Sequence, residues 1–350
     1  MKKRLAKIIS LTCAASLTLA LTACSSSSPE TPSASAEQET EAPAEQGAET
    51  PASDASFPED TVNIICHAKE GGGSDALARQ VAQVLQDQQG WSVTVENKTG
   101  GSGSVGMQFV QNSKPDGYTI GTAPVELSMI EALGYAELNP EDVSLLGCGM
   151  SWPAALYVPA DAPYDTLEDF VNYCKENPGK VQVANSGIGS IWHIGACVLA
   201  DKADIEITHV PYDGATGAMT ALLGKEIDAA VVGTCEGFSY VESGDLKCLA
   251  SFSEERSSVL PDSPTAAEQG YDANVICWVG FLAPQGVDEA SLTILQDALK
   301  ATFENEDYIA FCEGRGCDST YFSPEEFYEM AAADYTYYSQ LISDLGIVAE

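Results

Sequence analysis

Short apolar runs of strand length alternate along this chain with stretches whose apolar residues recur at helical spacing, and glycine-rich turns join one kind to the other. Residues 62–66 (V-N-I-I-C) read as a strand, Gly71-Gly72-Gly73 as a turn and residues 76–82 as the start of a helix, with Ser74 or Asp75 placed to cap it. The order repeats with a strand at 92–96, a glycine turn over 97–104 and a helix from 105. A third strand follows at 118–123, and 143–148 and 154–158 read as two extended segments. Thr166 and Asp169 form a capping box ahead of a helix that Asn177-Pro178-Gly179 stops. Strand 181–184, turn 185–190 and a helix from 191 copy the first unit, and strands at 205–210, 227–232 and 246–250 alternate with helices after 215 and 234. The run 277–283 returns the chain, residues 289–303 carry a helical face, and Ser323-Pro324-Glu325-Glu326 opens a last long helix. The alternation predicts an α/β fold with a mostly parallel sheet covered by helices on both faces.

A glycine turn leading into a helix lets a ligand approach the backbone, and the helix offers it unpaired N–H donors and a positive dipole end. The stretch from Glu70 to Asp75 carries neither the G-x-G-x-x-G dinucleotide fingerprint nor a phosphate-loop signature. With 52 acidic and 16 basic residues the formal charge is −36, which excludes a nucleic-acid partner of the usual basic kind. An anion site here has to rely on local amide donors.

The N-terminus reads as an address. Lys2, Lys3, Arg4 and Lys7 precede an apolar stretch too short to span a membrane comfortably. Leu21-Thr22-Ala23-Cys24 is similar to a lipoprotein cleavage box, so residues 1–23 are expected to be removed and Cys24 to be lipidated. Residues 24–60 are rich in Ser, Pro, Ala, Glu, Gln and Thr, and read as a disordered acidic tether. About 290 residues remain, enough for two lobes: 61–152 with 275–350, and 153–274.

Nine cysteines follow Cys24, scattered through apolar patterns, and the default for most is a buried thiol. Cys312 and Cys317, across E-G-R-G, could close a small disulfide loop in an exported protein. His67, His193 and His209 lie far apart in sequence and give no zinc signature, and no nucleophile elbow marks a hydrolase, so neither a metal nor catalysis is expected.

Several long segments resemble the extracytoplasmic receptors of tripartite tricarboxylate transporters, the TctC or Bug family. They are Val93-Thr94-Val95-Glu96-Asn97-Lys98-Thr99-Gly100, Lys114-Pro115-Asp116-Gly117-Tyr118-Thr119, His209-Val210-Pro211-Tyr212-Asp213-Gly214, Leu260-Pro261-Asp262-Ser263-Pro264-Thr265 and Trp278-Val279-Gly280-Phe281-Leu282-Ala283-Pro284. With Glu268-Gln269-Gly270 and Ser323-Pro324-Glu325-Glu326-Phe327 they follow the family order through nearly all of residues 61–350. The resemblance implies a two-lobed, hinged periplasmic-binding-protein fold of type II, without cofactor and monomeric. It closes on a small organic carboxylate and delivers it to a two-component membrane permease.

Gly71, Gly72, Gly73, Ser74 and Asp75 match the first ligand loop, with Arg79 downstream. Ser186, Gly187, Gly189, Ser190 and His193 match the second-lobe segment, and Thr122, Ala123 and Thr234 stand at ligand-side positions. Asp75 reads as a cap, a loop orienter or an acceptor from a ligand hydroxyl or ammonium. Arg79 reads as paired with an acid or touching ligand, and His193 as a contact or a packed imidazole. The family often has a proline-containing stretch where this chain has His67-Ala68-Lys69-Glu70. Lys69 would favour an anion and Glu70 an amine, which leaves an acidic amino acid as an alternative solute and a ligand-sensing lipoprotein as an alternative role.

Overall fold

A computed structural model of the chain describes residues 57–347. The leader, Cys24 and the tether as far as residue 56 lie outside the described residues. Strands β1 (Val62–Cys66), β2 (Val93–Asn97) and β3 (Thr119–Pro124) alternate with helices α1 (Gly73–Gln89) and α2 (Ser104–Gln111). The two segments expected at 143–158 are one strand, β4 (Val143–Pro159). After it come α3 (Leu167–Glu176), β5 (Gln182–Asn185), α4 (Ile191–Ala203), β6 (Thr208–Pro211), α5 (Ala215–Leu223), β7 (Ala229–Gly233), α6 (Thr234–Glu242) and β8 (Leu246–Ser251). The chain returns in β9 (Ile276–Pro284) and ends with α7 (Glu289–Phe303), α8 (Glu306–Glu313) and α9 (Pro324–Leu345).

Local chemistry sets the helix starts. Thr166 and Asp169 exchange side-chain and backbone bonds ahead of α3, and Ser323 and Glu326 do so ahead of α9, where Pro324 takes the first position. The short helix α8 went unread; Asn305 caps it.

The sheet order is β2-β1-β3-β9-β4-β7-β5-β6, with β8 also on β4. Pairing is mixed rather than mostly parallel. β1 is parallel to β2 and β3, and β5 to β6 and β7, but β9 is antiparallel to β3 and β4, and β4 to β7 and β8. The reason is the return of β9, which inserts between β3 and β4 against the direction of both. The first half of β4 pairs with β9, and its second half with β7 and β8. One strand thus runs through both halves of a single compact unit.

This topology positions a site. β4 leaves the first half in the direction of β1 and β3, and enters the second half antiparallel to β7. The C-terminal ends of β1 and β3 therefore face those of β5 and β7, and ligands favour such strand ends in α/β sheets. α8 and α9 brace the crossing: Tyr308 Oη donates to the Gly149 carbonyl at 3.0 Å, and Trp278 Nε1 to Asp334 Oδ2 at 2.7 Å.

Candidate functional site

A buried carboxylate builds the first loop. Gly72, not Ser74 or Asp75, is the N-cap of α1, and no side chain caps that helix. Asp75, only 3% exposed, instead reaches back over the turn. Its Oδ2 accepts from the Gly71 N–H at 2.9 Å and Arg79 Nε at 3.1 Å, and its Oδ1 from Asn97 Nδ2 at 2.8 Å. Arg79 also bonds Asn97 Oδ1 at 3.0 Å, and Asn97 ties the Ala68 carbonyl at 2.9 Å. Burial opposes charge on Asp75, but the bonds from Arg79, Asn97 and the Gly71 N–H, with the Arg79 charge, outweigh it and hold the carboxyl below its ordinary value. Of the roles open to these two residues, the structure places Asp75 as loop orienter and Arg79 as its ion partner. Gly71 has φ +80°, which only glycine adopts freely. Among the described residues no acceptor takes the N–H groups of Gly73, Ser74 and Asp75. They form a cradle at a positive helix end.

The second loop is engaged largely with itself. Ser190 Oγ donates to the Gly187 carbonyl at 2.8 Å and accepts from the His193 N–H at 3.2 Å, so it caps α4. The Gly187 N–H goes to Asn185 Oδ1 at 3.0 Å, and the Gly189 N–H to His193 Nδ1 at 3.2 Å. His193 is thus a packed, loop-bracing imidazole, and burial, with His209 nearby, lowers its pKa to about 4. The Ser186 and Ile188 N–H groups remain without an acceptor among the described residues. Thr122 Oγ1 holds His67, 2.7 Å from Nδ1 and 3.1 Å from its N–H, and Ala123 is buried inside β3. Thr234 Oγ1 is buried and has no hydrogen-bond partner among the described residues.

Three links join the two loop sets. Lys69 forms an ion pair with Asp213 in the turn after β6. Both ends are exposed, so the pair adds little stability. Tyr135 Oη donates to the Ile188 carbonyl at 3.3 Å, and Glu126 Oε1 accepts from the Ile191 N–H at 3.3 Å, at the start of α4. Glu70 is exposed, and its charge bears on Arg79 of the first loop rather than on the second.

Sequence reasoning missed Glu126 and Glu236. The one visible signal was a lone acid in each of two apolar stretches. Burial raises the Glu126 carboxyl, opposed by its own backbone and the Ile191 N–H. Burial pushes Glu236 up to about 7, opposed by the Gly233 N–H, which donates to Oε2 at 2.7 Å, and by Trp192, and aided by the charge of Glu126. A carboxyl raised from 4.5 binds a proton in the folded chain that the unfolded chain has lost, so stability falls as pH rises from 4.5 to 7. Glu236→Gln keeps an acceptor for Gly233 and is expected to flatten the melting temperature across that window; coincident profiles would remove burial of Glu236 as the cause.

A groove adjoins the second loop. About 800 Å³ in volume, it follows α4 and β6 along the second half, from Asn185 and Ile188 to Cys174 and Glu206. Cys312 and Cys317 are buried free thiols near the end of α8.

The family model for the tripartite tricarboxylate transporter family receptor, TctC, matches residues 77–347. Protein BugT of Bordetella pertussis is 27% identical over 83% of this chain and 91% of its own length. A TctC solute binding protein from Polaromonas is 30% identical, superposes with TM-score 0.70 and covers 82% of this chain and 99% of its own. The periplasmic binding protein BugD is 27% identical with TM-score 0.75, over 84% of this chain and all of its own. These similarities identify an α/β periplasmic-binding-protein fold and a solute-binding rather than enzymatic role, and the chain belongs to the tripartite tricarboxylate transporter receptor family.

Proposed function

We propose that this chain is an extracytoplasmic receptor, anchored through a lipidated Cys24 and its tether, that closes on a small organic acid and hands it to a two-component permease. The carrying observation is the pair of amide-bearing loops at opposed strand ends. Gly73, Ser74 and Asp75 offer free N–H groups on one side, Ser186, Ile188 and the Thr234 hydroxyl on the other. A carboxylate between them meets amide and hydroxyl donors and needs no cation. Residues 61–152 with 275–350 act as one lobe and 153–274 as the other, hinged where β4 and the entry to β9 cross. Closure forms the Lys69 to Asp213 link, so the free chain samples an open state.

Native mass spectrometry of gently purified protein, followed by a thermal-shift panel of carboxylates, tests this reading. Gly72→Val is expected to weaken solute binding about tenfold in calorimetry, because the added side chain closes the backbone approach beside the Lys69 carbonyl, which a Cβ would meet at 3.2 Å. Affinity kept within about twofold would remove the loop from the site. Uptake by a reconstituted permease that ignores added receptor would favour a sensor.

One observation favours a zwitterion over a simple dicarboxylate. Glu126 already occupies the Ile191 N–H, and Glu236 lies close enough to feel its charge, so the cleft has an acidic side that suits an ammonium group. A larger thermal shift with aspartate than with succinate is the expected sign.

A further inference from the structure

Behind the second loop, the fold adds a third metal-capable side chain from β6 to two that α4 presents one turn apart. α4 presents His193 and Cys197 one turn from each other, and the edge strand β6 adds His209. Cys197 Sγ lies 3.7 Å from His193 Nε2 and 3.8 Å from His209 Nε2, and the three candidate ligand atoms all fall within 4.8 Å of one another. A tetrahedral zinc ion, with bonds of about 2.3 Å to sulfur and about 2.0 Å to nitrogen, sets its sulfur and nitrogen ligands about 3.5 Å apart. Both sulfur to nitrogen separations are within a few tenths of an ångström of that value. All three residues line the wide groove, which leaves a fourth position open to solvent. Two buried polar atoms of the same groove wall, Asn185 Nδ2 and His209 Nδ1, have no hydrogen-bond partner among the described residues. Asn185 is fully buried, and its amide is a ready donor to a water on a bound ion.

We propose that His193, Cys197 and His209 form a site for a borderline-soft divalent ion, zinc above all, held by two imidazole nitrogens and a thiolate. Binding displaces the thiol proton to solvent. It also requires the Nε2 lone pair of His193. Nδ1 of that ring now accepts from the Gly189 N–H, which puts the ring proton on Nε2. On binding, that proton leaves for solvent and Nδ1 takes one up, so the ring stays neutral and the Gly189 bond breaks. Gly189 packs against Leu133 and Tyr135 of the facing half, where an added Cβ would lie 3.0 Å and 3.4 Å away. The ion therefore disturbs the second solute loop, and zinc weakens solute binding. This last step rests on the receptor reading; the metal site does not.

Purified full-length chain, stripped with chelator, is dialysed against zinc and its bound metal measured, and cobalt is added in parallel as an optical probe. The expected result is one tightly held zinc per chain and a thiolate-to-cobalt charge-transfer band. Cys197→Ser and His209→Ala, each checked for an unchanged metal-free melting curve, should each lower zinc affinity about tenfold or more. Zinc bound equally by wild type and both variants, or a cobalt spectrum without thiolate character, overturns the site. The eight other described cysteines make the histidine variant decisive, since metal held elsewhere ignores it. Solute calorimetry with and without zinc reads the coupling separately: equal affinities overturn the coupling and leave the site standing, whereas no solute binding in either condition counts against the receptor reading alone.

Discussion

Asp75→Ala is expected to destabilise the protein by about 2–4 kcal/mol and to weaken solute binding by about tenfold or more. The alanine leaves the Gly71 N–H, the Asn97 amide and the Arg79 guanidinium without the acceptor they share. Gly71 then loses what holds it at positive φ, and the free amides of Gly73 and Ser74 no longer point to one place. Denaturant unfolding reads the first effect and calorimetry the second. Wild-type stability with affinity intact would show that backbone geometry alone supports the loop. The pH dependence gives an independent readout. A carboxyl whose folded pKa is depressed contributes stability that is fully present above its unfolded value of about 3.9 and is lost as pH falls through the lower folded value. The acid limb of the wild-type profile should therefore be steeper than that of Asp75→Ala.

Gly280→Ala is the second large effect, and it lies in the sheet rather than the site. Gly280 of β9 is paired with Ala123 of β3 and Cys148 of β4. A Cβ there would stand 2.5 Å from the Gly147 carbonyl oxygen and 2.5 Å from Phe327 Cε1. The oxygen belongs to the neighbouring strand and cannot retreat without breaking the ladder that joins the two halves. A loss of about 3 kcal/mol is expected, seen as a melting temperature lower by about 6–12 °C or as failure to fold. Gly73→Ala is the control: a Cβ there meets nothing within 4 Å, so stability should be nearly unchanged. Equal melting temperatures for Gly280→Ala and the control would sink the account.

Helix starts and glycine turns were legible because their determinants lie within a few residues. The box of Thr166 with Asp169 and that of Ser323 with Glu326 form as read, and α7 occupies the span that its apolar spacing marks. The same local reading failed at α1, where Asp75 had a cap position within reach but found stronger donors in Asn97 and Arg79. The choice depended on β2 lying beside β1, which no local pattern states.

Strand direction shows the limit most clearly. Each apolar run marked a strand, but an extended segment does not carry the direction of its neighbour. β9, returning more than a hundred residues after β3, made the sheet mixed and joined 143–159 into one strand. By itself, then, the sequence determined the elements, their caps, the acidic charge and the glycine loops, since these rest on short-range sterics, hydrogen bonds and composition. Only the tertiary structure decided which loops face each other, that Glu126 sits on the amide of Ile191, and that His209 of β6 joins His193 and Cys197 of α4, because each of these is a contact between elements whose separation along the chain hides their separation in space.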